Sequence, residues 1–369
     1  MGLILRCHSR LLKIGLFFLI SGTVLSGSQA SQTTTPVSST DSATSPSALP
    51  SAQNKPVNKK DPRIVEDWNA ITLEGSKLYS QPPVKGDKGD FPTFTRELLQ
   101  VGWRYDDGID LYIIKPKGVA RPPVVLYLYS YPSETDRFRD NDYCDRITSG
   151  GFAAIGFVSA LTGQRYRMRP MKEWFVSELQ ESLVKSTHDV QMILNLLEKR
   201  DDLDMSRVGM FGTGSGATIA LLAAAADPRI KAIDLLNPWG DWPDWMEKSS
   251  LIPGVERPNY VTADFLQTVA PFDPIVWLPK LKTQSVRIQV LGDDRITPPA
   301  AQQKIEAAIP ANAHLLKYAT GRDFYSAVSG GRVFQWIKAE LKPSPQPAAG
   351  TLTSSSQSKT QRQEASRVE

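Results

Sequence analysis

One segment limits the folds open to this chain more than any other. Residues 208–217 read VGMFGTGSGA, in which a short apolar stretch runs into glycines and other small residues. An alanine-rich stretch, residues 217–226, follows directly. Glycine adopts strained backbone conformations without steric cost. The segment therefore predicts a buried strand, a sharp turn and a helix packed closely against that strand.

The chain around this segment alternates between strands and helices. A hairpin is predicted at 96–101 and 109–114, joined by a turn that ends in Asp107-Gly108. Short runs without polar alternation are typical of strands that are covered on both faces; they lie at 124–129, 153–159 and 207–211. Further strands are predicted at 233–236, 286–291 and 314–318. Apolar residues at helical spacing in 171–199 predict a crossover helix, and 331–341 predict a closing helix. The expected fold class is α/β, with a mostly parallel central sheet, helices on both faces and a leading antiparallel hairpin.

Both ends of the chain are predicted to lie outside the folded domain. Residues 1–30 combine three basic residues, an apolar run and the small residues Ser28-Gln29-Ala30, which is typical of a secretory signal peptide. If it is not cleaved, this segment would act as a membrane anchor. Residues 31–60 are rich in Ser, Thr and Pro and predict a disordered linker, and 343–369 predict a disordered tail. The domain is expected at 61–342, in an exported protein of the periplasm or extracellular space without a membrane span in its mature form.

Charge and cysteine content exclude several classes of function. The formal net charge is +4, and removal of 1–30 with its three basic residues leaves +1. No basic stripe with interleaved aromatic residues indicates a nucleic-acid partner. Cys7 lies in the predicted leader, so Cys144 has no partner for a disulfide within the mature chain. The mature chain has only His188 and His314, without metal-ligand spacing, so neither a metal nor a cofactor is predicted.

Three motifs make residues 91–341 resemble the α/β-hydrolase superfamily, nearest in style to its dienelactone-hydrolase-like and prolyl-oligopeptidase-like branches. They are VGMFGTGSGATIALLAAAADPRI, VLGDDRITPP at 290–299 and LLKYATGRDF at 315–324. The resemblance implies a nucleophile on the turn, an acid after a later strand and a histidine near the end of the domain.

The nucleophile position departs from the GxSxG pattern that the resemblance implies. On that pattern Gly214 stands where serine belongs, flanked by Gly212 and Gly216. In the alternative register Ser215 is the nucleophile, with Thr213 and Ala217 as its small neighbours. If Ser215 is not the nucleophile, its backbone N–H still occupies the position of the oxyanion donor.

The acid has a candidate, whereas the histidine does not. Asp294 follows the strand at 286–291, and Asp293 is the neighbour that could replace it. Where the resemblance implies Gly-His, the chain has Gly321-Arg322, and a guanidinium cannot accept a proton. Asp323 is a weak alternative base, and His188 and His314 are expected to have structural roles.

The resemblance also implies the residues that line a pocket at the carboxyl ends of the strands. One set follows the strand at 124–129, another lies on the turn, a third follows the last strand, and Asp241 belongs to an irregular insertion at 237–282. The predicted lining residues are Tyr129, Ser130, Tyr131, Gly214, Ser215, Asp241, Arg322 and Asp323. The insertion either covers the carboxyl ends of the strands or packs as helices at the edge of the sheet.

Three hypotheses for function follow. The first is an exported protein with a degenerate Ser-His-Asp triad, non-catalytic or weakly active, that binds a small molecule or peptide in the ancestral pocket. The second is an active serine hydrolase, esterase or peptidase-like, that uses Ser215 and Asp294 with an unconventional base. The third is a cell-envelope interaction protein that uses the polar segments at both ends.

Overall fold

The computed structural model describes residues 66–342, except 105–106, 133, 162–164 and 166–174. The predicted signal peptide, linker and tail therefore lie outside the described residues. In the described part, nine strands form one sheet in the order β1-β2-β3-β5-β4-β6-β7-β8-β9. The strands are β1 Val84–Asp90, β2 Phe94–Val101, β3 Ile109–Pro116, β4 Pro123–Leu128, β5 Ala153–Phe157, β6 Asp204–Thr213, β7 Ile230–Leu236, β8 Ser285–Leu291 and β9 His314–Tyr318.

The sheet has a parallel part and an antiparallel part. Strands β5, β4, β6, β7, β8 and β9 run parallel to one another. Strands β1, β2 and β3 add an antiparallel meander at one side, and β3 pairs with β5. The expected α/β class with a leading hairpin is confirmed, and β1 extends that hairpin by one strand.

Helices cover both faces of the sheet. The α-helices in the described residues are α1 Asn141–Thr148, α2 Leu179–Leu197, α3 Ser215–Ala226, α4 Trp242–Lys248, α5 Arg257–Tyr260, α6 Ala263–Val269, α7 Pro274–Trp277, α8 Pro299–Ala308, α9 Gly321–Val328 and α10 Gln335–Glu340. Apolar residues of α2, α3 and α4 share one core cluster, whereas those of α1 and α10 share a second. Strand β4 separates the two, because Leu126 and Leu128 face the first cluster and Tyr127 and Tyr129 face the second.

The closing helix is shorter than the sequence predicts. A helix at 331–341 is expected, but α10 begins at Gln335 and is preceded by a 3-10 turn, Ser329–Phe334. Gly330 and Gly331 adopt φ values of 70° and 83°, which interrupt a regular helix. No helix in the described part of the chain is long and apolar enough to cross a membrane.

Candidate functional site

The glycine-rich turn between β6 and α3 has the shape of a nucleophile elbow. Gly214 joins the last residue of β6 to the first residue of α3, with φ 52° and ψ −121°. Residues other than glycine rarely adopt this positive φ. Ser215 is not among the described residues with positive φ. The strained position of the turn is therefore Gly214, which carries no hydroxyl.

The space beside Gly214 is already filled. A Cβ atom placed on Gly214 would lie 2.5 Å from Ser130 Oγ and 3.0 Å from Trp239 Nε1. Ser130 belongs to the loop that follows β4, and Trp239 to the insertion that follows β7. Two segments thus converge on the place where a nucleophilic side chain would begin.

The Ser215 hydroxyl is buried and bonded to the loop after β4. The backbone N–H of Tyr131 donates to Ser215 Oγ at 2.9 Å, and the N–H of Ser130 donates to Thr213 Oγ1 at 3.1 Å. Ser215 has no exposed surface. In this fold the loop after β4 would supply the second oxyanion donor. The N–H groups of Ser130 and Tyr131 in that loop are instead bonded to side chains of the turn. The Ser215 N–H stands at the first position of α3, where a helix offers no acceptor of its own.

Gly212 and Gly216 allow the strand and helix to approach each other. A Cβ on Gly212 would lie 2.5 Å from Gly216 O, and one on Gly216 would lie 2.3 Å from Leu128 O. Neither position has room for a side chain, so close packing accounts for both glycines.

Comparisons with known proteins bear on this arrangement. No family model matches the chain. An uncharacterized 31.7 kDa protein from the traX-finO intergenic region of Escherichia coli is 25% identical over 134 residues, which are 35% of this chain and 42% of that protein. The Bacillus subtilis (strain 168) protein named "Putative hydrolase YtaP" is 28% identical over 142 residues, 34% of this chain and 47% of that protein. The chain thus spans less than half the length of these curated relatives.

Solved structures match far more of the chain. Acetyl xylan esterase 1 from Thermoanaerobacterium sp. JW/SL YS485 matches with a TM-score of 0.58 and 14% identity, over 74% of this chain and 92% of the esterase. The chain has the α/β-hydrolase fold. The acetyl xylan esterase from Paenibacillus sp. R4 matches with a TM-score of 0.56 and 16% identity, over the same shares of the two chains. At these identities the likeness concerns the α/β-hydrolase fold alone.

The acid loop of the α/β-hydrolase fold follows β8, and both candidate acids bind backbone N–H groups there. Asp294 accepts from the N–H of Ile296 at 3.0 Å and of Thr297 at 3.2 Å. Burial raises the pKa of Asp294, although these hydrogen bonds act in the opposite direction. Asp293 accepts from the N–H of Gly321, at the start of α9, at 2.9 Å. The loop that carries the acid thus contacts the loop in which the fold usually holds its histidine, through a backbone N–H.

Both described histidines lie away from the turn. His188 is buried in α2, where Nδ1 lies 2.5 Å from Glu66 Oε1 and Nε2 lies 2.9 Å from the carbonyl oxygen of Ala70. Both partners are acceptors, so the imidazole has no nitrogen left to accept a proton from a serine. His314 begins β9 and therefore lies at the amino edge of the parallel strands, opposite the turn, where it is exposed with its ring 6.0 Å from that of Trp336.

Arg322 and Asp323 belong to the first turn of α9. Asp323 accepts from the N–H of Thr320 at 3.0 Å, and the Thr320 hydroxyl accepts from the N–H of Asp323 at 3.2 Å. These two bonds form a capping box, which explains Asp323 as a residue that begins the helix. Arg322 follows Gly321 at the position implied for the histidine.

The other predicted lining residues separate into different surroundings. Tyr129 is buried in the aromatic cluster on the α1 face, where its hydroxyl bonds that of Tyr143. The guanidinium of Arg137 lies 4.1 Å from the centre of its ring. Ser130 and Tyr131 reach the turn, as described above. The structure thus brings Ser130, Tyr131, Gly214 and Ser215 together and places Tyr129 in the core.

Asp241 lies near the start of the irregular insertion at 237–282. It adopts φ 53° ahead of α4, and its carboxylate pairs with Lys304 at 2.9 Å. Burial raises its pKa against the effect of that lysine. Trp239 covers the turn, whereas α6 and α7 pack against α2, α3 and α8 on one face of the sheet.

Sequence analysis missed a second buried polar group, here named the α2 ion cluster: Glu66, Arg104, Asp107, Arg165 and Asp189. Asp189, on α2, has no exposed surface and accepts from Arg104 at 2.5 Å, Arg165 at 2.7 Å and the indole N–H of Trp103 at 2.9 Å. Burial by itself would raise the pKa of Asp189, but the two arginines lower it. Likewise Arg104 and His188 overcome burial and lower the pKa of Glu66 to about 2. The sequence signal for this cluster is Asp189 itself, an acidic residue among the apolar residues at helical spacing in α2.

In the ranges that the structure describes, His, Cys, Asp and Glu side chains form no group that could hold a metal ion.

Proposed function

We propose that this chain is an exported protein of the α/β-hydrolase fold that binds a small molecule or peptide and does not hydrolyse it. The observation that carries the proposal is Gly214. Its φ of 52° identifies it as the strained residue of the elbow, and a Cβ there would meet Ser130 Oγ at 2.5 Å. A fold that needs its nucleophile at this residue therefore has neither the hydroxyl nor the space for one.

The bonding of Ser215 supports the same proposal. A serine nucleophile needs a hydroxyl that is open to substrate and bonded to a general base. Ser215 Oγ is buried and accepts from the N–H of Tyr131. Its position after the strained residue also gives it an ordinary helical backbone, unlike a residue on the elbow.

The third support is that none of the candidate bases among the described residues is placed to act on Ser215. General-base catalysis needs a proton acceptor within hydrogen-bond reach of the hydroxyl. His188 contacts Glu66 and Ala70, His314 lies at the amino edge of the sheet, and Asp323 is used in the capping box. Binding would then use the carboxyl edge of the strands, where open α/β sheets hold their ligands.

A fluorophosphonate probe tests the proposal, because it labels serines that are activated as nucleophiles. The purified chain and its Ser215→Ala variant are treated side by side, with an active serine esterase as the positive control. We expect no labelling of either form, and equal rates with p-nitrophenyl acetate. The same fold in two acetyl xylan esterases makes an acetyl ester the substrate to assay.

Weak ester turnover that survives Ser215→Ala would agree with the proposal, since binding and oxyanion donors alone can accelerate hydrolysis about 10³-fold. Labelling that disappears in Ser215→Ala would instead establish the second hypothesis, an active hydrolase that uses Ser215 and Asp294.

Export is proposed from residues 1–30, whose basic start, apolar run and small residues are typical of a cleaved leader. The intact mass of the protein recovered from the producing cell tests this. A mass that lacks about 30 residues is expected, and a full-length protein held in the membrane fraction would show that the segment serves as an anchor.

A further inference from the structure

A cavity of about 330 Å³ lies apart from the elbow, at the end of the sheet formed by the antiparallel strands. It opens where the connection between β2 and β3 meets the carboxyl end of β5, and β5 and β4 separate it from β6. Its polar lining consists of Gln81, Gln100, Arg104, Asp107, Asp110 and Arg165. Small-molecule sites commonly measure about 300–1,000 Å³, so this cavity has the size for a small ligand.

The two arginines of the lining are already committed to the protein. A guanidinium has five N–H donors. Those of Arg104 make two bonds to Glu66 and one each to Asp107, Asp189 and the carbonyl oxygen of Lys185. Since all five are used, Arg104 has no donor left for a ligand.

Arg165 is nearly as fully used. It donates twice to Asp107, once to Asp189 and once to the carbonyl oxygen of Val158. Recognition of a carboxylate or phosphate by arginine commonly needs two parallel N–H groups from one guanidinium. Only one donor of Arg165 remains, so the cavity is poorly equipped to bind an anion.

Three polar side chains of the lining are open to a ligand. Among the described residues, Gln81, Gln100 and Asp110 make no side-chain hydrogen bond, and Asp110 acts on Arg139 through its charge. A carboxamide both donates and accepts, whereas a carboxylate accepts. The two arginines are already balanced by the carboxylates of Glu66, Asp107 and Asp189, so no positive charge of the lining is left for an acidic ligand.

We propose that this cavity binds a polyhydroxylated molecule without an acidic group, a sugar or polyol. A hydroxyl group donates and accepts at once, so neighbouring hydroxyls can pair with Asp110 and with the two carboxamides. Val84 and Val158 also belong to the lining and are at least partly exposed, so they offer apolar surface for the C–H groups of such a ligand. The proposal assigns a ligand to the binding role proposed above and rests on it.

Two sugars of the same ring size test this preference: D-glucose and D-glucuronate. Binding to the full chain is measured by saturation-transfer NMR and calorimetric titration. We expect saturable binding of glucose and at least about tenfold weaker binding of glucuronate, because its carboxylate loses hydration and finds no pair of free arginine donors.

Substitutions locate the binding to the cavity. Asp110→Leu removes the open carboxylate and is expected to weaken glucose binding about tenfold, since a hydrogen bond to a charged group is lost. Asp201→Leu, at an exposed aspartate outside the lining, is the matched control and should bind as the wild type does. Gln100→Ala, at an exposed position of β2, gives a second test if Asp110→Leu does not fold.

Three results would overturn the proposal: no saturable glucose binding by the wild type, equal or tighter binding of glucuronate, or wild-type affinity in Asp110→Leu and Gln100→Ala. Failure of the proposed function is detected separately, because Ser215-dependent labelling reports on the elbow and not on this cavity.

Discussion

The elbow and the α2 ion cluster are two buried polar regions built on opposite principles. At the elbow the hydrogen bonds join neutral groups, such as the N–H of Tyr131 donating to Ser215 Oγ. In the α2 ion cluster the partners are charged, as in the pair of Arg104 and Asp189. Enzymes of this fold place the titratable groups of their triad at the elbow. In this chain the buried ion pairs of Asp189 lie in the α2 ion cluster instead.

The difference indicates what each region needs in order to persist. The shape of the elbow depends on the absence of side chains at Gly212, Gly214 and Gly216, because a Cβ atom at any of them would lie within 3 Å of a neighbouring atom. The α2 ion cluster depends on every partner being present, because a buried charge without its partner is costly. Its pKa shifts arise from burial and from pairing among its own charged groups.

Loss of one carboxylate should break the α2 ion cluster and give the largest effect. Asp189→Ala leaves Arg104, Arg165 and the indole of Trp103 without their shared acceptor. We expect the free energy of unfolding to fall by about 3–5 kcal/mol. Urea denaturation followed by circular dichroism measures it.

The matched control is Asp201→Ala, an exposed aspartate, which should change stability by less than about 0.5 kcal/mol. If Asp189→Ala cost no more than this control, the cluster would be shown to contribute little to stability, and the contrast with the elbow would be lost.

Glu134 lies in the loop after β4, beyond the residues that contact the elbow. Its titration tests by pH whether a buried charged group next to the elbow affects stability. Glu134 is fully buried and accepts the N–H and the hydroxyl of Ser159. Burial raises its pKa to about 7, although both bonds and Arg165 oppose the shift. The unfolded value is about 4.3. Since the folded pKa is the higher one, the stability that protonation gives is complete below about pH 4 and is lost as the pH rises towards 7.

The Glu134→Gln variant keeps the shape and removes the titration. We expect the unfolding free energy of the wild type, relative to this variant, to fall by on the order of 2–3 kcal/mol between pH 5 and pH 8. Urea titrations at both pH values measure it. A relative stability that does not change with pH would show that Glu134 keeps an ordinary pKa in the folded protein.

Most of the fold could be predicted, because buried strands carry their own signal. The apolar runs at 124–129 and 153–159 correspond to β4 and β5, and β9 has the predicted bounds. Strand β1 gave no signal, since VKGDKGD is polar and exposed and is held by pairing with β2. Helix α1 was also missed, although Asp140 caps it by accepting the N–H of Tyr143.

The sequence predicts those features of the site that the type of a single residue determines. The position of the strained turn follows from Gly214, which is the residue type that this backbone requires. The bond between Tyr131 and Ser215 spans 84 residues, and the same holds for the contact of Ser130 with the turn, so neither has a local pattern. The alternation of side chains along a strand could have predicted that Tyr129 is buried, because it shares a face of the sheet with Val125 and Tyr127.

Adding a methyl group at the elbow should lower the stability less than the loss of Asp189 does, and it tests how crowded the elbow is. Gly216→Ala places a Cβ 2.3 Å from the carbonyl oxygen of Leu128, so β4 and α3 must move apart, at a cost of about 1–3 kcal/mol. Gly254→Ala is the matched control, because a Cβ there meets no atom within 4 Å, and its cost should be below about 0.5 kcal/mol. Thermal unfolding of both variants measures the difference. Equal stability of the two would mean that the turn yields easily, and would remove crowding at the elbow as a support for the proposed function.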